Sequence, residues 1–99
     1  MQKIVLAAVA ALALLPVAAS AGEVQNRIND EHARIDQGVA NHSLSYGQFR
    51  RLDNRLDHIE AQRDRDLRAN GGRLTSGEDR QLNREENNLS DRIYWDKHT

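Results

Sequence analysis

The sequence predicts an all-α protein, a three-helix antiparallel arrangement with two similar loop–helix units and an EF-hand-like outline. Three observations lead there. Apolar residues recur at helical steps of three, four and seven. No stretch alternates apolar and polar residues for long enough to make a strand. Two helix-opening motifs of the same form stand 30 residues apart.

The chain begins with a segment unlike the rest. Residues 1–21 hold 17 hydrophobic residues and a single charge, Lys3. Met1-Gln2-Lys3 forms a short positive start, Ile4 to Leu15 an unbroken apolar run of 12 residues, and Pro16 follows it. Ala19-Ser20-Ala21 then reads as an A-x-A cleavage site. The expectation is a secretory signal peptide over 1–21, cleaved after Ala21, and a small helical domain over 22–99 in the periplasm. A spanning helix needs about 20 apolar residues, more than this run supplies, so no membrane partner is expected after cleavage. The absence of cysteine excludes a disulfide scaffold, a Cys-based zinc site and a thioether-linked lipid.

The first helix is expected over about Glu23 to Ala40, with Val24, Ile28, Ile35 and Val39 at steps of 4, 7 and 4. The second runs over about Tyr46 to Ala69, where Phe49, Leu52, Leu56 and Ile59 share a register that continues through Arg63 to Leu67. The third runs over about Ser76 to Asp96 on Leu82, Leu89 and Ile93, with Glu86 on the same line. These seams are as thin as coiled-coil a/d positions. Asn41-His42-Ser43 and Asn70-Gly71-Gly72 separate the helices. Leu44-Ser45-Tyr46-Gly47-Gln48 and Leu74-Thr75-Ser76-Gly77-Glu78 both read L-[ST]-x-G-[QE], a capping box in each case. Leu44 and Phe49 stand at hydrophobic-staple spacing, whereas Leu74 faces Asp79 there and must find its contact elsewhere.

Residues 22–99 carry 13 basic and 15 acidic side chains, and only 14 of them are Leu, Ile, Val or Phe. Such a balance excludes a strongly basic nucleic-acid binder. So few aliphatic residues predict a marginal monomer, completed by self-association or a protein partner. Ile93, Tyr94 and Trp95 are the candidate interaction residues, because Tyr and Trp make strong anchors. Arg63-Asp64-Arg65-Asp66-Leu67-Arg68 alternates in sign and reads as a solvated helix laced with ion pairs.

Metal chemistry has weaker support. Asp64, Asp66, Asn70 and Glu78 surround the second turn as in an EF-hand loop. With Gly72 at the loop's glycine position, Leu74 and Glu78 fall where required, but Leu67, Ala69 and Gly71 take the oxygen positions. Sliding by one gains Asp66 and Asn70 and loses Glu78 to Gly77. His58 is the histidine candidate for a composite transition-metal site, since His32, His42, His58 and His98 share no H-x-x-x-H spacing. Neither a metal site nor a cofactor is expected. No serine stands in a G-x-S-x-G context and no nucleophilic cysteine exists, so no enzyme is expected either.

Ala69-Asn70-Gly71-Gly72-Arg73-Leu74-Thr75 with Glu78, then Asn88-Leu89-Ser90, Ile93-Tyr94 and Lys97-His98, resembles a group of small exported bacterial proteins. That group reads A-N-G-G-x-L-T-x-x-E, N-x-L-S and I-Y-x-x-K-H, and Arg34-Ile35 with Gly38 fits its first half. The resemblance implies export and no particular activity. A looser likeness is to Spy-type periplasmic chaperones with L-T-x-x-Q motifs, which Leu44-Ser45-Tyr46-Gly47-Gln48 approaches. The leading expectation is a non-catalytic, stress-related periplasmic interaction protein. The alternatives are a metal-binding protein with a degenerate EF-hand-like pair and a Spy-like ATP-independent chaperone.

Overall fold

A computed structural model describes residues 22–99; the expected signal peptide and its cleavage site lie outside the described residues. Three helices form: α1 over 22–40, α2 over Tyr46–Ala69 and α3 over Ser76–Lys97. The described residues hold no strand, and no helix among them is long and apolar enough to cross a membrane.

Helices α2 and α3 open as their sequences dictate. Ser45 accepts the Gln48 amide at 3.1 Å while Gln48 Oε1 accepts the Ser45 amide at 2.9 Å. Thr75 and Glu78 repeat the exchange at 3.1 and 2.9 Å. Two amides that the helix cannot satisfy are thus paired at each start. Helix ends follow the same economy. The Gly72 amide reaches back to Leu67 O at 2.7 Å, and Gly71 and Gly72 take the positive φ values of 65° and 91° that let the chain reverse. In the first turn the residue 30 positions before Gly72 is His42, and it carries φ 63° without glycine's freedom.

Short turns make successive helices antiparallel, so α1 and α3 run parallel. Their cross-links advance together along both helices: Arg27 to Asn83 and Asn87, Arg34 to Ser90, and Lys97 Nζ to Arg34 O. Inside lie Val24, Ile28, Ile35, Leu44, Leu52, Leu56, Ile59, Leu74, Leu82, Leu89 and Ile93, all buried. Phe49 and Leu67 pack partly against them. Leu74 finds its contact in this core, as its missing staple partner requires.

The α1 seam differs from expectation at its end. Val39 is 43% exposed, and Gly38 takes the inward position instead. The reason is the Leu44 side chain, which lies against the bare Gly38 backbone. A Cβ on Gly38 would stand 2.6 Å from Leu44 Cδ1 and 2.7 Å from Cγ. The seam steps by four and three from 24 to 28, 31, 35 and 38, and position 31 is glutamate.

These contacts predict opposite outcomes for two glycines. Gly38→Ala gains helix propensity but forces Leu44 out of place, and should lower unfolding free energy by about 1 kcal/mol. Gly77→Ala meets nothing within 4 Å and should raise it by about 0.5 kcal/mol. Urea unfolding of the two variants beside the wild type checks both signs.

Candidate functional site

Three places in the bundle gather polar or aromatic groups that the apolar core does not account for. The first is the interior between α1 and α3. Glu86, on the α3 seam between Leu82 and Leu89, is 0% exposed; Glu31, on the α1 seam between Ile28 and Ile35, is 2% exposed. Neither Glu86 oxygen has a hydrogen-bond partner, and Glu31 Oε1 has none. Arg27 Nε approaches Glu86 Oε1 only to 3.8 Å, an attraction of charges beyond hydrogen-bond reach. Its guanidinium is committed elsewhere: Nη1 donates to Asn83 Oδ1 at 3.0 Å and Nη2 to Asn87 Oδ1 at 2.7 Å.

Burial is the main force on both carboxyls, and it pushes each up to about 7. Glu31 is opposed by Arg27 and Arg34; Glu86 is raised further by Glu31 and eased by Arg27 and Arg63. Removing a charge from water costs more than these neighbours return. The folded chain therefore keeps protons that the unfolded chain releases above its ordinary value of 4.5. Stability from this source is full below that value, falls as pH rises, and is lost above about 7.

The second place is the α2–α3 turn. Asn70 Nδ2 donates to Glu78 Oε1 at 2.8 Å and Oε2 at 3.1 Å, and to Asp66 O at 2.8 Å. The amide donated by Thr75 and the Asn70 side chain hold the Glu78 carboxyl below its ordinary range. Burial, with Glu78 second, raises that of Asp66. Asp66, Asn70 and Glu78 thus converge, while Asp64 pairs with Arg63 at 3.7 Å. His58 stands eight residues before Asp66, about 12 Å along the same helix. It lines a separate α2–α3 surface groove with Asn54, Arg55, Ile59 and Glu85. The turn between α2 and α3 leaves only residues 70–75 outside helix, so Asp64 and Asp66 remain helical. Among the described residues no group of three or more His, Cys, Asp or Glu has metal-holding geometry.

The third place is the end of the bundle where α1 finishes, α2 starts and α3 finishes. Val39, Tyr46, Tyr94 and Trp95 are the exposed large hydrophobic residues among those described, at 43, 74, 51 and 62%, and all four belong to this end. Tyr94 stacks on His98 at 4.0 Å and meets Trp95 edge to face at 5.8 Å. His98 Nδ1 lies 2.6 Å from Tyr94 O, which fixes the stack. Ile93 is fully buried in the core and is not part of this surface.

Position 86 lies on the seam that the sequence defines, but Glu31 hides inside the step of 7 between Ile28 and Ile35. A strict heptad reading of α1 finds it, since four residues before Ile35 and three after Ile28 is a core position. Likewise Arg63 and Asp66 turn inward from a stretch whose alternating charges suggest full solvation: the Arg63 side chain is 16% exposed and Asp66 is half-buried.

Fold and sites together define a small all-α bundle with a buried carboxyl pair and an aromatic end. No family model matches this chain, and neither a curated protein nor a solved structure matches it.

Two measurements check the polar interior and the cap. Glu86→Leu should raise unfolding free energy at pH 8 by about 1–3 kcal/mol, and by less at pH 5, where the glutamate is already neutral. Glu78→Ala should cost about 1 kcal/mol at pH 7. Its depressed carboxyl contributes fully above 4.5 and loses its contribution as pH falls through the lower folded value, so the cost should shrink in acid. Urea titrations across pH 3–8 read both.

Proposed function

We propose that the chain is an exported, non-catalytic helical interaction protein of the periplasm, with a stress-related role, acting through the aromatic end of its bundle. The exposure of Tyr46, Tyr94 and Trp95 at one end supports this reading. The eleven buried aliphatic residues complete the core without them, so packing gives no reason for aromatic residues there. Large rigid side chains with polar tips bind protein surfaces at low entropic cost. The leader-like start and the likeness to small exported bacterial proteins support the compartment.

A photo-crosslinker at position 95, introduced in living cells, tests the surface. It should join the chain to one distinct protein or to a second copy, and the same probe at Arg73, exposed at the opposite end, should not. With that partner purified, Trp95→Ala should weaken binding about 30-fold, the loss typical of an aromatic anchor, while changing unfolding free energy by less than about 0.5 kcal/mol. Equal labelling from both ends, or none, would refute the reading.

One observation favours a second reading, a cation at the α2–α3 turn: Asp66, Asn70 and Glu78 converge there. Binding would require the Asn70 amide to turn its oxygen inward and Glu78 to leave its cap. Calorimetric titration with Ca²⁺ tests it; micromolar binding lost in Glu78→Gln supports it, and no heat rejects it.

A further inference from the structure

We propose that α1 is a proton-sensitive helix, seated on α3 while Glu31 and Glu86 are protonated and released from it when they ionise. Three geometric facts carry this. The two carboxyls occupy seam positions of neighbouring helices and are enclosed. Three of their four oxygens have no hydrogen-bond donor. The groove between α1 and α3, lined by Asn26, Arg27, Asp30, Glu31, Arg34 and Ser90, opens to solvent beside Glu31. An ionised carboxylate in that layer gains most by admitting water, and this groove is where water enters.

The surrounding charges decide which helix moves. Glu86 is faced by Arg27 and Glu31 from α1, by Arg63 from α2 and by Asp79 on its own helix. Glu31 is faced by Glu86 from α3 and, on α1 itself, by Arg27, Asp30, His32 and Arg34. Ionising both sets like charges against each other across the α1–α3 contact. The same step strengthens the attraction of Glu86 to Arg27 as well as to Arg63, but across the α1–α3 contact the repulsion from Glu31 is the larger, so only the α2–α3 contact gains on balance. On its other side α1 is held to α2 by the 3.0 Å contact of His32 Nε2 with Glu60 Oε1. Removing protons from the two carboxyls thus loosens α1 from α3 and leaves the α2–α3 hairpin joined.

Release would uncover Val24, Ile28 and Ile35 together with the aliphatic face of α2–α3 that they cover. The device closes in acid and opens toward neutral and alkaline pH, with its midpoint near 7, where burial has placed both carboxyls.

Amide exchange on the purified protein at pH 5.5 and 8.0, corrected for intrinsic rates, tests the inference. Protection of α1 should fall by about tenfold or more between the two, the change expected for one unit of pKa shift, and protection of α3 over 82–93 by clearly less. In the double variant Glu31→Gln, Glu86→Gln the drop in α1 should disappear. Equal loss over all three helices, no loss in α1, or the same loss in the double variant would overturn the proposal. If the double variant does not fold, a side-chain carboxyl NMR titration of the wild type decides. Midpoints of Glu31 and Glu86 near 7 uphold it, and ordinary glutamate midpoints sink it.

Discussion

A narrow seam governs this molecule. Each helix offers the interior about one residue per turn, so each inward position carries a large share of the burial. With so few aliphatic residues in 22–99, no neighbour can replace a lost one. That is why Gly38 is inside rather than Val39. Leu44 leaves the turn to close the bottom of the core, and it reaches its place only if α1 presents bare backbone there. The same economy gives Leu74 its role at the opposite end. One leucine after each turn caps one end of a thin core.

A glutamate pair inside such a core costs stability that hydrophobic residues would have supplied. What surrounds it returns something else. Arg27 spans Asn83 and Asn87, one helical turn apart on α3, so its two nitrogens fix both the distance and the axial register of α1 against α3. A seam of leucines and isoleucines tolerates sliding by a heptad; a forked guanidinium over two amides does not. Parallel α1 and α3 touch without any turn joining them, so register between them rests wholly on side chains. The turns already set it for the antiparallel pairs. The polar layer lies where chain connectivity gives no help.

Much of this was legible in the chain itself. Helix limits were set by cap chemistry: Ser45 with Gln48, Thr75 with Glu78, and Gly71-Gly72 after α2. Each is a local rule involving residues within a few positions, and local rules survive folding. Where distant residues decide, the sequence misleads. Val39 fits the periodicity as well as Gly38 does, and only the position of Leu44 separates them. Glu86 stands on the α3 seam in the sequence itself, whereas Glu31 is passed over inside the step of 7 between Ile28 and Ile35. Arg63 falls on the α2 register that runs on to Leu67; Asp66 belongs to an alternating run that suggests water on all sides, yet it is half-buried. The aromatic end shows the limit most plainly. Tyr94 and Trp95 are visible as anchors, but their composition fits burial as well as display. Ile93 beside them went inward and they did not, because one helix face cannot present three consecutive residues to the same side.

The two ends of the bundle are chemically unlike, and the repeat makes that instructive. Residues 41–45 and 70–75 descend from the same plan, with a leucine, a hydroxyl cap and a reaching amide or carboxylate. At the second turn glycines supply the left-handed backbone, and Asn70 ties the turn to Glu78 across eight residues. At the first turn His42 carries that conformation at some cost, and no side chain like Asn70 reaches over to Gln48 among the described bonds. The end with the second turn is thus tied across eight residues and, among the described residues, shows no exposed large apolar group. The other bears more strain and gathers Val39, Tyr46, Tyr94 and Trp95 around the finish of α1. The Lys97 to Arg34 O bond and the Gly38–Leu44 contact both anchor α1 at this end. Lys97, two residues past Trp95, holds Arg34 O, so the end of α3 that carries the aromatic pair is tied to α1 by that bond.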